Sequence, residues 1–348
     1  MKFATNIAIA LTTLTLVNAE EAPLDLVDTL NQDNLQESFR ILLDDYIQPT
    51  QLSALEINRA ALDGLLDRLG LGAELVERNG DDSSKEETFS TYHEILPGNT
   101  AYLRPAGFSG GELEKTDAAL ASFIEAKCQT LVLDLRVPMP NERFGEATRF
   151  LDRFCPPNTV LFKISKPGSS KPQLFTSKPA ANSWPGETIL LIDSDTGGAA
   201  EMVAAVIHHQ RESVIVGQQT PGTTVQYQTV NVSEKAAIRF AVAEAALPDD
   251  SSLFQKGLNP TIKSLTKRDD KLAVFAASEK EGVAKFINDK ERPVLNEAAL
   301  VAGTNPELPY HLDKTAKRES EFDQIPLQDI ALQRIVDFLK VRAFLEQE

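Results

Sequence analysis

The sequence predicts an α/β protein built on a mostly parallel sheet, flanked by an N-terminal helical hairpin and C-terminal helices. Three observations carry that reading. From Thr88 onward, short strand-like apolar runs alternate with stretches of helical periodicity. Between Asn34 and Gly70, apolar residues recur at helical spacing around a break at Gln48-Pro49-Thr50. Beyond Arg268 the chain turns charged and again helical.

The elements follow in order. Met1-Lys2, the apolar run Phe3 to Val17 and the small residues before Glu20-Glu21 read as a secretory signal over residues 1–19. A membrane anchor fits less well, because the run is short of a full span and Asn6 and several Thr interrupt it. The expectation is a chain exported to the periplasm or the extracellular space, without a membrane span once the signal is removed. Residues 20–85 form the helical hairpin (Leu35, Phe39, Leu42 and Tyr46, then Leu55, Leu62, Leu65 and Leu69) and a polar linker, Arg78 to Lys85.

Residues 86–265 are the α/β core. Its pattern gives strand Thr100 to Leu103, helix Glu112 to Lys127, strand Thr130 to Leu135 and helix Arg143 to Phe154. Strands Thr159 to Ser165 and Thr188 to Ile192, helix Gly198 to Gln210 and strand Ser213 to Val216 continue it, and Val225 to Val232 with Ala237 to Ala243 read as a hairpin. Residues 266–348 hold helices at Glu279 to Ile287, at Val294 to Ala302 and from Ile330 to Phe344, with an irregular stretch Gly303 to Gln324.

Composition narrows the function. A hydrophobic content of 42% and a charged content of 25% are globular values, and a net charge of −16 argues against nucleic acid or anionic membrane as partners. His208-His209 are adjacent and cannot both face one ion on a helix, no metal-ligand spacing occurs, and no cofactor is expected. Cys128 and Cys155 each follow a helical pattern and precede a strand-like run, which would put both at one edge of a parallel sheet. One disulfide between them, or two buried apolar thiols, both remain open.

The centre of the chain is Leu190 to Gln210: buried strand, small polar turn, helix. Such a turn exposes one side chain above the sheet and points helix N-terminal N–H groups at developing negative charge. Glu201, in the first helical turn, complements the helix dipole and can cap a free N–H.

At this point the residues carry a resemblance. Tyr102-Leu103-Arg104, Leu131 to Arg136, Thr196 to Glu201, Val216 to Gly222 and Leu253 to Pro260 fall in the order and approximate spacing of the C-terminal-processing (tail-specific) serine proteases. The resemblance, from Thr88 to Ile262, implies a crotonase/Clp-protease-like core and a substrate class of extended chain ends. The family's turn reads Thr-x-Ser-Ala-Ala/Ser-Glu; laid on Thr196 to Glu201, it puts Gly198 at the nucleophilic serine. The general-base lysine falls at Thr223. Where family members continue Asn-x-Gly-Gly to bind the oxyanion, this chain has Val137-Pro138-Met139-Pro140, and proline has no N–H to give.

The resemblance therefore implies an exported relative without an intact catalytic set. It would bind an extended peptide or protein C-terminus around Thr196, Gly197, Gly198, Gly222 and Thr223, or serve as partner of an active paralogue. The alternative is an active serine endopeptidase with a displaced nucleophile, Ser194; a related branch of the family takes its base from a histidine instead of the lysine, which the resemblance would lay on His93.

Overall fold

A computed structural model describes residues 29–47, 52–78, 89–140, 142–287 and 327–345. The signal segment, most of the polar linker, the helix expected at Val294 to Ala302 and the irregular stretch after it lie outside the described residues. The chain divides into two units, Met1–Arg68 and Leu69–Glu348.

In the first unit, helix α1 (Gln32–Asp45) begins with a reciprocal cap. Asn31 Oδ1 accepts from Asn34 N–H at 2.8 Å, and Asn34 Oδ1 accepts from Asn31 N–H at 3.2 Å. Helix α2 (Ala54–Leu69) starts after Ser53, whose hydroxyl accepts from Glu56 N–H at 3.2 Å. The two helices bracket the expected break.

The second unit holds two sheets. Strands β1 (Ala73–Glu77), β2 (Tyr92–Leu96) and β3 (Thr100–Arg104) lead to α3 (Gly110–Glu125) and β4 (Thr130–Asp134), then α4 (Phe144–Leu151). Next come β5 (Val160–Ser165), β6 (Gln173–Thr176), β7 (Glu187–Ile192), α5 (Gly198–Arg211) and β8 (Val214–Gly217). The hairpin β9 (Val225–Asn231) and β10 (Ala236–Ala246), the short β11 (Ile262–Lys263), α6 (Arg268–Glu281) and α7 (Ile330–Leu345) complete it.

One sheet has the order β11-β8-β7-β4-β3-β2, parallel throughout except for the edge pair β2–β3. Both of its faces are covered, so its strands read as continuous apolar runs rather than alternating ones. Leu131, Leu133, Leu190 and Ile192 face a core shared with α3, α4 and α5, while Val132, Ile189 and Leu191 face Val283, Leu332 and Ile335. Every residue of α5 from Gly198 to Ile207 is buried.

The other sheet, β1-β10-β5-β6 with β9 beside β10, is antiparallel. This corrects the assignment of Thr159 to Ser165 to the parallel layer. Only seven residues separate β5 from β6, and so short a link makes a hairpin, not a parallel crossover. The shared sheet edge for the cysteines fails for the same reason, because Cys128 precedes β4 in the parallel sheet and Cys155 precedes β5 in the other. Both are buried free thiols. Cys128 Sγ contacts Asn99 Oδ1 at 3.3 Å, and burial pushes the Cys155 thiol up to about 12.

The tail helix is also displaced from the sequence reading. It runs from Arg268 and ends at Gly282 (φ +83°), where a short 3₁₀ turn, Val283–Phe286, follows. Its buried face, Lys271, Val274, Phe275 and Ser278, is half polar, which hides the helical period from an apolar pattern. Among the described residues, no helix is long and apolar enough to cross a membrane.

Candidate functional site

The turn from β7 into α5 is built by its own side chains. Asp193 N–H donates to Thr196 Oγ1 at 3.0 Å, Asp195 N–H to Asp193 Oδ1 at 2.9 Å, and Thr196 N–H to Asp193 O at 3.0 Å. Thr196 Oγ1 in turn donates to Leu135 O at 2.9 Å, fastening the turn to the end of β4. Thr196 is thus fully buried with its hydroxyl consumed within the fold. Gly197 caps the helix in extended geometry, and Gly198 follows at φ +53°, a conformation that favours glycine.

The structure brings Gly198 and Thr223 together: Gly198 N–H donates to Thr223 Oγ1 at 2.9 Å. The helix N-terminus is therefore less free than its sequence suggests. Glu201 does not spend its carboxylate on capping α5 alone. It reaches the segment after β8, accepting from Gly222 N–H and Thr223 N–H at 2.9 Å each and from the Thr220 hydroxyl. Thr220 Oγ1 also accepts from Leu258 N–H at 2.7 Å. Burial pushes the Glu201 carboxyl up, and its donors, the Thr220 hydroxyl and the N–H groups of Thr223 and Gly222, pull it down without fully offsetting that rise. Gly222 (φ +78°) has no room for a side chain, since a Cβ would stand 2.8 Å from Gly257 N and 2.9 Å from Leu253 O. Thr196, Gly197, Gly198, Gly222 and Thr223 thus form one contiguous, internally hydrogen-bonded patch at the carboxyl edge of β7 and β8.

Beneath the turn lies a charge network that the sequence analysis missed. Lys271 of α6, 1% exposed, donates to Asp193 Oδ2 at 2.6 Å, Asp195 Oδ2 at 2.7 Å and Arg136 O at 2.9 Å. Lys271 Nζ thus meets three acceptors at once and clamps the turn. Arg136, equally buried, spans Asp134 (2.8 and 2.7 Å) and Asp329 (3.1 and 2.7 Å), and Tyr102 donates to Asp134 at 2.7 Å. Burial raises the Asp134 carboxyl, but Arg136 beside it brings the net position below the ordinary value. Asp193 stays above its ordinary value because burial outweighs Lys271. Phe275 stacks under these cations, with the Arg104 guanidinium 4.1 Å and that of Arg136 5.5 Å from its ring centre.

Ser194 is exposed at the tip of the turn. His93 sits on β2, three strand positions from β7, about 14 Å away at ordinary spacing. Its ring lies edge-on to Phe123 at 5.9 Å. The structure does not pair the two. In the loop after β4, Val137 is buried and Pro138 and Pro140 follow it. His208, in the last turn of α5, contacts Ser213 O through Nδ1 at 2.8 Å. Among the described residues, no group of three His, Cys, Asp or Glu side chains converges as a metal centre would require.

Among the described residues, cavities also lie away from this turn. One of about 230 Å³ is bounded by Pro97, Thr100, Ile287, Val336 and Leu339. Another, of about 470 Å³, lies at the C-terminal end of α5 around Trp184 and Arg211.

A parallel sheet carrying a strand-turn-helix at its carboxyl edge, backed by an antiparallel layer, defines a mixed α/β core of the Clp-protease-like class. A solved protein from Parabacteroides merdae shares this fold, with a TM-score of 0.52 at 13% identity over 70% of this chain and 85% of that one. Residues 99–264 match the family model of Peptidase family S41. It is 23% identical over 202 residues to the carboxy-terminal processing protease CtpA of Bacillus subtilis, covering 57% of this chain and 41% of that protein. It is 24% identical over 166 residues to the carboxyl-terminal-processing protease of Synechocystis, covering 47% of this chain and 38% of the relative. The chain thus spans about two fifths of the length of these relatives.

Proposed function

We propose that this chain is an exported relative of the tail-specific proteases that has lost peptide-bond hydrolysis. It holds extended peptide or protein C-termini at the carboxyl edge of β7 and β8, alone or beside an active paralogue. The observation that carries this reading is the hydrogen bond between Gly198 N–H and Thr223 Oγ1 at 2.9 Å. The two positions that the family fills with serine and lysine are neighbours here, occupied by a residue with no nucleophile and by a hydroxyl with no basic nitrogen. Loss of a single oxyanion donor costs about 10²–10³ in rate, and the prolines after β4 subtract donors from that loop as well. The reading of residues 1–19 as a secretory signal, from Met1-Lys2 and the apolar run Phe3 to Val17, supports export.

The exposed Ser194 favours the second reading, a peptidase with a displaced nucleophile. Against it, the buried amine beneath the turn, Lys271, is held by Arg136 O, Asp193 Oδ2 and Asp195 Oδ2. The binding half of the proposal is tested with residues 20–348 and fluorescein-labelled unstructured peptides that differ at their C-termini. Saturable anisotropy at micromolar concentration, lost when the C-terminus is amidated, is the expected result. Absence of saturation for every peptide up to high micromolar concentration would contradict it.

A further inference from the structure

The cavity at the C-terminal end of α5 contains a cation that no carboxylate among the described residues pairs with. Its walls include Phe154, Pro156, Pro157, Trp184 and Pro185, with the Arg211 guanidinium among them. Arg211 Nη1 donates to Trp184 O at 3.1 Å and to Phe154 O at 3.5 Å, and Nη2 to Gly186 O at 2.5 Å. These carbonyls fix the plane of the guanidinium but bring no formal negative charge, and they engage at most three of its five donors. Neighbouring Arg153 is different, because Asp117 neutralises it through contacts of 2.8 and 2.7 Å. Among the described residues, no carboxylate makes a salt bridge or hydrogen bond with Arg211, and partial burial disfavours its charged form. A guanidinium cannot shed its proton at working pH, so the charge persists.

A planar cation without a carboxylate partner, on the wall of a cavity that joins Phe154, Trp184 and three prolines to the polar side chains of Ser183 and Gln210, has the composition of a site for an amphipathic anion. We infer that this cavity binds a small organic carboxylate with an aromatic or branched apolar body, the carboxylate on Arg211 and the body against Trp184 and the prolines. The site is separate from the Gly198 turn, which lies at the other end of the 14-residue α5, about 20 Å along the helix. It stands whether or not the peptide-binding proposal does.

The chain contains one tryptophan, so intrinsic emission reports this cavity alone. The test titrates residues 20–348 with 3-phenylpropionate and, in parallel, with its neutral isostere 3-phenylpropionamide. The expected result is a saturable change in Trp184 emission with the acid, and binding weaker by about tenfold or more with the amide. Raising chloride weakens the acid and leaves the amide unchanged, a readout that needs no variant. Arg211→Gln removes the preference for the acid; because that change also frees three carbonyls, its folding is checked by circular dichroism, and the chloride experiment decides if it fails to fold. Acetyl-Ala-Ala-Phe in a further arm separates the two sources of such a carboxylate: binding like the acid indicates a chain end, exclusion a free small molecule. Equal binding of acid and amide, or no saturable change with either, would overturn the inference.

Discussion

Glu201 ties the helix after the turn to the segment after β8, and its removal measures how firmly the patch is held. Glu201→Ala leaves Gly222 N–H, Thr223 N–H and the Thr220 hydroxyl without their acceptor. At about 1–3 kcal/mol for each buried group left unsatisfied, the loss is about 3 kcal/mol or more, read as a fall in the urea midpoint. The pH dependence has a definite sign. The Glu201 carboxyl is raised in the folded chain, so the favourable contribution of its proton is present below the ordinary carboxylate range and is lost as pH rises through the raised value. The stability of the native chain relative to Glu201→Gln therefore falls as pH rises from the ordinary carboxylate range through the raised value.

At this scale the sequence was informative about Gly198 and Thr223, because they lie in short motifs of fixed spacing. It was not informative about Lys271 or Asp329. Their partners, Asp193 and Arg136, are 78 and 193 positions away, and a charged residue in a charged stretch carries no mark of burial. The apolar run of β7 and the Ala-rich α5 signalled a buried core, but nothing in Glu201 alone indicated that its carboxylate would serve a loop more than twenty residues downstream.

Among the elements, α6 and α7 are fastened to the carboxyl edge of the parallel sheet by buried charge as well as by apolar contact. Asp329 pairs with Arg136 and also caps α7, accepting from Leu332 N–H at 3.0 Å. Asp329→Ala strips a buried cation of one partner and the helix of its cap; the expected cost is about 3–5 kcal/mol by chemical denaturation. A change below 1 kcal/mol would show that the pair contributes little to stability. The parallel strands and their crossover helices were legible because doubly covered strands read as unbroken apolar runs, as in Leu190-Leu191-Ile192. The placement of β5 was not, since a run of that composition fits either sheet and only its short link to β6 decides. Helix α6 was misplaced because Lys271 and Ser278 sit on its buried face.

For the whole molecule, residues 99–264 are similar to the S41 peptidase family model, while the proposed chemistry turns on what stands at two neighbouring positions. A fold of this class places a turn, a helix N-terminus and a backbone patch together whether or not a nucleophile is present. The central claim, that this chain does not cut peptides, is tested by a mass-spectrometric time course. Residues 20–348 are incubated with a mixture of unstructured peptides that differ at their C-termini, beside an active tail-specific protease as positive control and a Gly198→Ser/Thr223→Lys variant. The account predicts no fragments from the native chain at any time. Fragments that accumulate with the native chain and disappear in Ser194→Ala would contradict it and establish the displaced nucleophile instead.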